Sequence, residues 1–212
     1  MKLYTYWRSS AAWRVRIALN LKNLSYQSAP VHLARGEQRS DAFRAVNPNA
    51  VVPALALDDG TVLTQSLAII EYLEETYPLP ALLPSEPRQR AKVRAAAQLI
   101  ACDIHPINNL RVVEHLKSSL GRTPEDAAAW MRHWMRSGLE AYARSIDAAG
   151  RFSFGDAPTV ADLCLIPQLY NARRWGLDLA GLERLAEIDA AAATLPAFQA
   201  AAATAQPDAD AS

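Results

Sequence analysis

Cysteine is scarce in this chain. Only Cys102 and Cys164 occur among 212 residues, and they form no CxxC pair. Two thiols so far apart are too few for a disulfide framework, a redox dithiol or a cysteine-rich zinc site. We therefore predict a chain without a structural disulfide and without a bound metal.

The sequence also lacks a long apolar run and an excess of charge of either sign. No stretch reaches the roughly 20 apolar residues that cross a bilayer, and the first residues, MKLYTY, are typical of a strand rather than of a secretion signal. The 22 basic side chains balance 22 acidic ones, which argues against nucleic acid or an anionic membrane as the main partner. We predict a cytoplasmic protein that binds neither nucleic acid nor a membrane.

The first eighty residues alternate between strand and helix patterns. Strands are predicted at residues 2–7, 25–31, 51–57 and 61–63, helices at 12–23 and 66–77, and a short helix within the polar loop 36–46. The order β-α-β-α-β-β-α requires a parallel pair in its first half and an antiparallel hairpin in its second. This order is typical of a thioredoxin-like domain.

A proline-rich stretch at residues 78–87 ends the last of these helices and reads as a linker. Beyond it, helical periodicity predicts helices near 87–118, 124–149, 159–174, 181–193 and 196–203, followed by a frayed tail at 205–212. The predicted fold class is α+β. A thioredoxin-like domain covers residues 1–80, and an all-helical domain covers residues 87–212.

Three local features of the first domain admit both a structural and a functional interpretation. Ser9 and Ser10 precede the first helix and could cap it, or could hold an anion there. Pro53 could mark an edge strand, or a cis bond that leaves the Val52 backbone open to a peptide-like ligand. Gln65 and Ser66 open the last helix of this domain, where Ser66 could be the N-cap or bind a carboxylate. Each feature alone favours the structural interpretation.

Their combination resembles a known family. The run WRSSAAWRVRIAL at residues 7–19 resembles the signature SSCxWRVRIAL of the zeta-class glutathione transferases. The pairs Asn47-Pro48 and Val52-Pro53 and the run QSLAIIEYLE at 65–74 are similar to that family's glutathione site. The run CDIHPINN at 102–109 resembles the bacterial members, and GDAPTVADL at 155–163 resembles the capping-box motif of the helical domain. The resemblance covers nearly the whole chain.

The resemblance implies a glutathione site in the first domain. Ser9, or alternatively Ser10, would hydrogen-bond the glutathione sulfur, and Gln38 would lie near the glycine end. Val52 would pair with the cysteinyl backbone, while Gln65 and Ser66 would hold the γ-glutamyl carboxylate. From the second domain, the residues implied at the cofactor site are Asp103, His105, Asn109 and Arg111.

The resemblance implies a substrate with two carboxylates, and the pocket for such a substrate should supply cations. Arginine suits this role because its planar guanidinium can bond both oxygens of a carboxylate. The candidates for this role are Arg8, Arg111 and Arg174. Arg8 adjoins Ser9 and Ser10, and the resemblance implies that these three residues are catalytic. Arg14 and Arg16 fall inside the first helix and are predicted to be structural. The box from Thr159 to Asp162 is likewise predicted to satisfy helix N–H groups rather than to take part in catalysis.

The chain departs from the family at Ala11, where the family often has cysteine. With no thiol of the protein at the signature, the chemistry would depend on the sulfur of glutathione. The implied activity is cis–trans isomerisation of a maleyl keto-diacid, maleylacetoacetate or maleylpyruvate, by a homodimer. Two other functions stay open, a transferase that conjugates small electrophiles such as haloacids and a non-catalytic interaction module.

Overall fold

The structure is a computed structural model that describes residues 1–209. The described chain divides into two compact units, one formed by residues 1–82 and 193–209, the other by residues 83–192. This division differs from the predicted domains 1–80 and 87–212 at the C-terminal end, because the last helix packs on the first unit. Within the described residues, no helix is long and apolar enough to span a membrane.

Four short strands form one mixed sheet. They are β1 (Lys2–Thr5), β2 (Gln27–Pro30), β3 (Ala54–Ala56) and β4 (Val62–Thr64), in the order β2-β1-β3-β4. β1 pairs with β2 in parallel, whereas β1–β3 and β3–β4 are antiparallel. The predicted parallel pair and hairpin are therefore both confirmed, although the first three strands are shorter than predicted and the fourth is shifted by one residue.

Helices make up most of the rest of the described chain. In order they are α1 (Ser10–Leu21), α2 (Asp41–Val46), α3 (Ser66–Thr76), α4 (Pro87–Gln98), α5 (His105–Ile107), α6 (Leu110–Ser118), α7 (Pro124–Ser145), α8 (Val160–Arg174), α9 (Glu183–Ala193) and α10 (Pro196–Ala201). Short 3-10 turns occur at Leu33–Arg35, Glu37–Arg39 and Ala203–Ala205. The element order of the first unit confirms its thioredoxin-like architecture, and the segment from α4 to α9 is all-helical.

The predicted helix at 87–118 is interrupted. After α4 the chain forms a π-helical segment, Leu99–Ile104, before the single turn of α5. Pro106 has no N–H to donate to the carbonyl four residues earlier, which disfavours regular α-helix here, and Asn109 caps a new helix by accepting the Arg111 N–H at 3.2 Å. Gly138 of α7 allows close approach, since a Cβ there would lie 2.3 Å from Cγ1 of Ile104.

The predicted capping role of Thr159 and Asp162 is confirmed. The Asp162 carboxylate is fully buried and accepts hydrogen bonds from the Thr159 N–H at 2.7 Å and the Ser153 N–H at 2.9 Å. Burial raises the pKa of Asp162, and the donors from Ser153 and Thr159 oppose that rise. This network fixes the start of α8 and the loop before it.

The predicted frayed tail is wrong for its described part. Asp208 is buried, and its Oδ2 accepts the N–H of Trp7 at 2.9 Å. Gln206 donates from Nε2 to the carbonyls of Ala200 and Ala202, which holds the tail against α10. Residues 210–212 lie outside the described part of the chain.

Two buried cations, Arg16 within α1 and Lys22 at its C-cap, hold the helix against its neighbours. Lys22 donates from Nζ to Oε2 of Glu74 in α3 at 2.7 Å and to the carbonyls of Tyr77 and Pro80. Arg16 donates to the Ala201 carbonyl, to Oγ1 of Thr5 and to the backbone that follows β1. Burial lowers the pKa of Arg16 to about 10, while the charges of Tyr26 and Asp208 act in the opposite direction. These bonds fix α1 between the sheet, α3 and the C-terminal segment.

We expect Lys22→Met to destabilise the protein by about 3–5 kcal/mol, because it removes a buried cation that bonds to Glu74 and to two backbone carbonyls. Equilibrium unfolding in urea measures the loss. Lys117→Met, which removes an exposed cation from α6, is the control and should change stability by less than about 0.5 kcal/mol. Similar effects of the two substitutions would contradict a structural role for the Lys22 ion pair.

Candidate functional site

Ser9 lies at the N-cap of α1. Its Oγ accepts the N–H of Ala12 at 3.2 Å, so the capping interpretation is correct. A serine hydroxyl can accept and donate at the same time, and the Ser9 hydroxyl hydrogen has no acceptor among the described residues. Ser9 can therefore cap α1 and still donate to an anion. Ser10 is the first residue of α1 and is more deeply buried.

Arg8 precedes this cap and is half-buried. Its guanidinium lies 5.1 Å from the centroid of the Trp7 ring. Such stacking holds the side chain in place without neutralising its charge. No carboxylate within the described part of the chain pairs with Arg8, so its charge is available to an anionic ligand.

The peptide bond between Val52 and Pro53 is cis, as one of the two sequence interpretations proposed. Val52 is buried in an apolar cluster with Tyr6, Ala12 and Phe43, which places it beside the first turn of α1. Neither its N–H nor its carbonyl has a backbone partner among residues 1–209. This backbone can therefore pair with an extended peptide.

Gln38 lies in the 3-10 turn Glu37–Arg39 and is buried. Its Oε1 has no hydrogen-bond partner in the described structure. An amide oxygen left unpaired in a buried position is costly, so a bound polar group would satisfy it.

Gln65 and Ser66 open α3, but not with the predicted cap. Gln65 occupies the N-cap position with φ 68° and ψ 115°, and Ser66 is the first helical residue. The Ser66 Oγ accepts Nη1 of Arg14 at 3.2 Å instead of an N–H of its own helix. The first turn of α3 therefore keeps N–H groups that no side chain of Gln65 or Ser66 satisfies.

The two helices that open at these positions run in the same direction. Arg14 bonds to Ser66, and eight residues later on both helices Lys22 bonds to Glu74. Eight residues advance each helix by about 12 Å, so the two links keep α1 and α3 in register. Their N-termini lie at one end of the unit, where both helix dipoles favour negative charge.

The predicted residues of the second unit lie on successive segments. Asp103 is exposed in the π-helical segment, and His105 opens α5. The Nδ2 of Asn109 lies 3.5 Å from Nε2 of His105, while Arg111 is exposed in α6. His105 and Asn109 are thus in contact, and Arg111 follows within one helical turn.

Arg174 is the last residue of α8. It is exposed, donates from Nη2 to Oδ1 of Asn171 at 3.2 Å, and lies 4.9 Å from the Trp175 ring centroid. These contacts orient the guanidinium at the helix end and leave it accessible.

Sequence reasoning missed Arg14, which it assigned to structure together with Arg16. Arg16 agrees with that assignment because it bonds to backbone carbonyls and to Thr5. Arg14 differs, because its only hydrogen bond in the described structure is to Ser66. The sequence did contain a signal for this role. It places a second arginine on the apolar face of the helix that carries the signature.

Comparison with known proteins agrees with this geometry. Residues 8–76 match the family model described as the glutathione S-transferase N-terminal domain. The chain is 49% identical over 212 residues to the maleylpyruvate isomerase of a Ralstonia species, with 98% of this chain and 99% of that protein covered.

Solved structures give the same result. A maleylpyruvate isomerase described as a bacterial glutathione S-transferase of the zeta class has a TM-score of 0.95 and 48% identity, covering 98% of this chain and 99% of that one. The maleylacetoacetate isomerase of Anaeromyxobacter dehalogenans, with glutathione bound in its active site, has a TM-score of 0.89 and 47% identity. That match covers 98% of this chain and 97% of the other.

The positive φ of Gln65 predicts a reversal of the usual ranking of glycine and alanine. At this position a non-glycine residue is strained by about 1–3 kcal/mol, so we expect Gln65→Gly to be about 1 kcal/mol more stable than Gln65→Ala. At Gln98, an exposed position in α4, alanine should be more stable than glycine by about 1 kcal/mol. Urea unfolding of the four variants tests this, and the same ranking at both positions would refute the strain at Gln65.

Proposed function

Because the chain belongs to the zeta class of the glutathione S-transferase family, we propose that it is a glutathione-dependent cis–trans isomerase of a maleyl keto-diacid, maleylpyruvate or maleylacetoacetate. The main support is near-full-length identity of 47–49% to relatives named for these two activities. The donor groups at the common end of α1 and α3 fit the anionic cofactor that such an enzyme uses.

Glutathione fits the unsatisfied groups of the first unit. It is a peptide with two carboxylates and a thiol, and the unit offers an open backbone at Val52, a free hydroxyl hydrogen at Ser9 and the N-terminus of α3. Ser9 would hold the sulfur, Val52 the cysteinyl backbone, and Gln65 and Ser66 the γ-glutamyl carboxylate. Gln38, with its unpaired Oε1, would lie at the glycine end.

When bound, glutathione supplies a sulfur nucleophile whose reversible addition to the cis double bond allows that bond to rotate. The protein must keep this sulfur ionised, although an unperturbed thiol with a pKa near 8.5 is only about 3% thiolate at pH 7. Lowering the pKa to about 6.5 requires about 2.7 kcal/mol. A hydroxyl bond to an ion contributes about 1.5–3 kcal/mol, and the N-terminus of α1 adds about 0.3–1 kcal/mol. Ser9 therefore suffices as a hydrogen-bond donor, and no general base is needed.

Ser9 is a better donor candidate than Ser10. The Ser9 side chain is half-buried and its hydroxyl hydrogen is uncommitted, whereas Ser10 is only 7% exposed as the first residue of α1. A catalytic hydroxyl must reach the ligand, so we assign the sulfur contact to Ser9.

The substrate carboxylates require cations that are not already neutralised. Arg8 adjoins Ser9 and has no carboxylate partner in the described structure. We assign Arg8 to the substrate on this ground. On the likeness to the zeta class alone, we also propose Arg111 and Arg174 as substrate residues and Asp103, His105 and Asn109 as cofactor residues. A homodimer in the cytoplasm remains part of this proposal.

We expect the purified protein to isomerise maleylpyruvate, maleylacetoacetate or both, and to need glutathione for this. Because the reaction regenerates the thiol, the glutathione concentration should stay constant while the substrate absorbance changes. Parallel assays with a haloacid and an aryl halide, which consume glutathione when conjugated, provide the comparison. Turnover of the halides with no isomerisation would show that the protein is a detoxifying transferase, and no binding of glutathione would indicate an interaction module.

We expect Ser9→Ala to lower kcat/KM by about tenfold or more at pH 7 and by clearly less at pH 9, where glutathione ionises without help. Steady-state rates at the two pH values give this comparison. Thr123→Ala, which removes the side-chain cap of α7, controls for the loss of a helix cap and should show no such pH difference. An equal loss at both pH values would rule out Ser9 as the thiol activator.

A further inference from the structure

Arg14 is a buried cation that the folded chain does not neutralise. The residue is only 2% exposed. Its Nη1 donates to the Ser66 hydroxyl at 3.2 Å, but its Nε and Nη2 are buried with no hydrogen-bond partner in the described structure. No carboxylate among residues 1–209 forms an ion pair with it.

The buried cations Arg16, in α1, and Lys22, at its C-cap, differ from Arg14 because the protein supplies partners for them. Lys22 pairs with Glu74 and two carbonyls, and Arg16 donates four hydrogen bonds. A buried charge without a partner is strongly unfavourable, and replacing it with a neutral residue commonly stabilises a protein. Arg14 therefore reduces the stability of the ligand-free chain unless an anion completes its surroundings.

The bond to Ser66 indicates where that anion binds. A guanidinium only donates, so the Ser66 Oγ must be the acceptor, and its own hydrogen is left to donate elsewhere. No acceptor for that hydrogen occurs in the described structure. Ser66 is also the first residue of α3, an 11-residue helix whose N-terminus favours negative charge.

We propose that Arg14 is the countercharge for a carboxylate bound at the start of α3, and that it acts through Ser66. The inference rests on the proposed function, in which this carboxylate belongs to the γ-glutamyl end of glutathione. Arg14 is a positioning residue here. It orients the Ser66 hydroxyl as a donor and makes the site selective for a negatively charged group over a neutral one.

Calorimetric titration with two ligands tests this selectivity. The first ligand is glutathione, and the second is 4-aminobutanoyl-cysteinyl-glycine, which lacks only the γ-glutamyl carboxylate. The wild-type protein should bind glutathione more tightly than the analogue. Arg14→Gln keeps an N–H donor for Ser66 but removes the charge. We therefore expect it to raise the Kd for glutathione by about tenfold or more and the Kd for the analogue by less than about twofold.

Two matched variants separate this effect from general damage. Arg14→Lys retains the charge and should keep most of the preference for glutathione. Arg16→Lys alters the neighbouring buried arginine, and any loss of affinity should be equal for both ligands. We also expect the melting temperature of ligand-free Arg14→Gln to equal or exceed that of the wild type.

The outcomes distinguish this inference from the proposed function. No binding of glutathione by the wild type would refute the proposed function. Normal binding by the wild type with an unchanged ligand preference in Arg14→Gln would overturn the role of Arg14 alone. An Arg14→Gln chain that does not fold, or that melts well below the wild type, would show that the charge is needed for structure and would also overturn the inference.

Discussion

The parallel alignment of α1 and α3 is the constraint on which the candidate site depends. Arg14 of α1 and Lys22 at its C-cap reach α3 at points eight residues apart, and the register they fix brings both helix N-termini to one end of the first unit. Separate helix N-termini would each attract one anion weakly. Held in register, with the open backbone of Val52 packed near the first turn of α1, they offer several donors to an anionic ligand.

The three buried cations Arg14, Arg16 and Lys22, in α1 and at its C-cap, differ in whether the protein itself supplies their hydrogen-bond partners. Lys22 donates hydrogen bonds to Glu74 and to backbone carbonyls, and Arg16 donates to Thr5 and to backbone carbonyls. Arg14 donates one hydrogen bond, from Nη1 to Ser66, and its buried Nε and Nη2 have no partner in the described structure. Lys22 and Arg16 therefore stabilise the ligand-free fold, whereas Arg14 destabilises it because no anion of the protein pairs with its charge.

The sequence predicted most of the fold because strand and helix periodicity are local properties. It gave the order of strands and helices in the first unit, the capping role of Asp162 and a cis bond at Pro53 as one of two alternatives. The return of Asp208 to Trp7, the break before α5 and the shift of the α3 cap to Gln65 were not predicted. The first depends on a partner distant in sequence and the third on backbone geometry, whereas Pro106 was a local signal for the break. The role of Arg14 also depends on a distant partner, Ser66.

The absence of a thiol at Ala11 gives this arrangement its chemical importance. Cys164 is buried in α8, and Cys102 belongs to the π-helical segment of the other unit, so the unit that contains Ser9 has no thiol of its own. The nucleophile must therefore arrive with the cofactor, and the rate at low cofactor concentration follows cofactor affinity. Under the proposed function, Ser9 acts on a sulfur that the start of α3 positions, and the Arg14–Ser66 pair is then a precondition for the chemistry at α1.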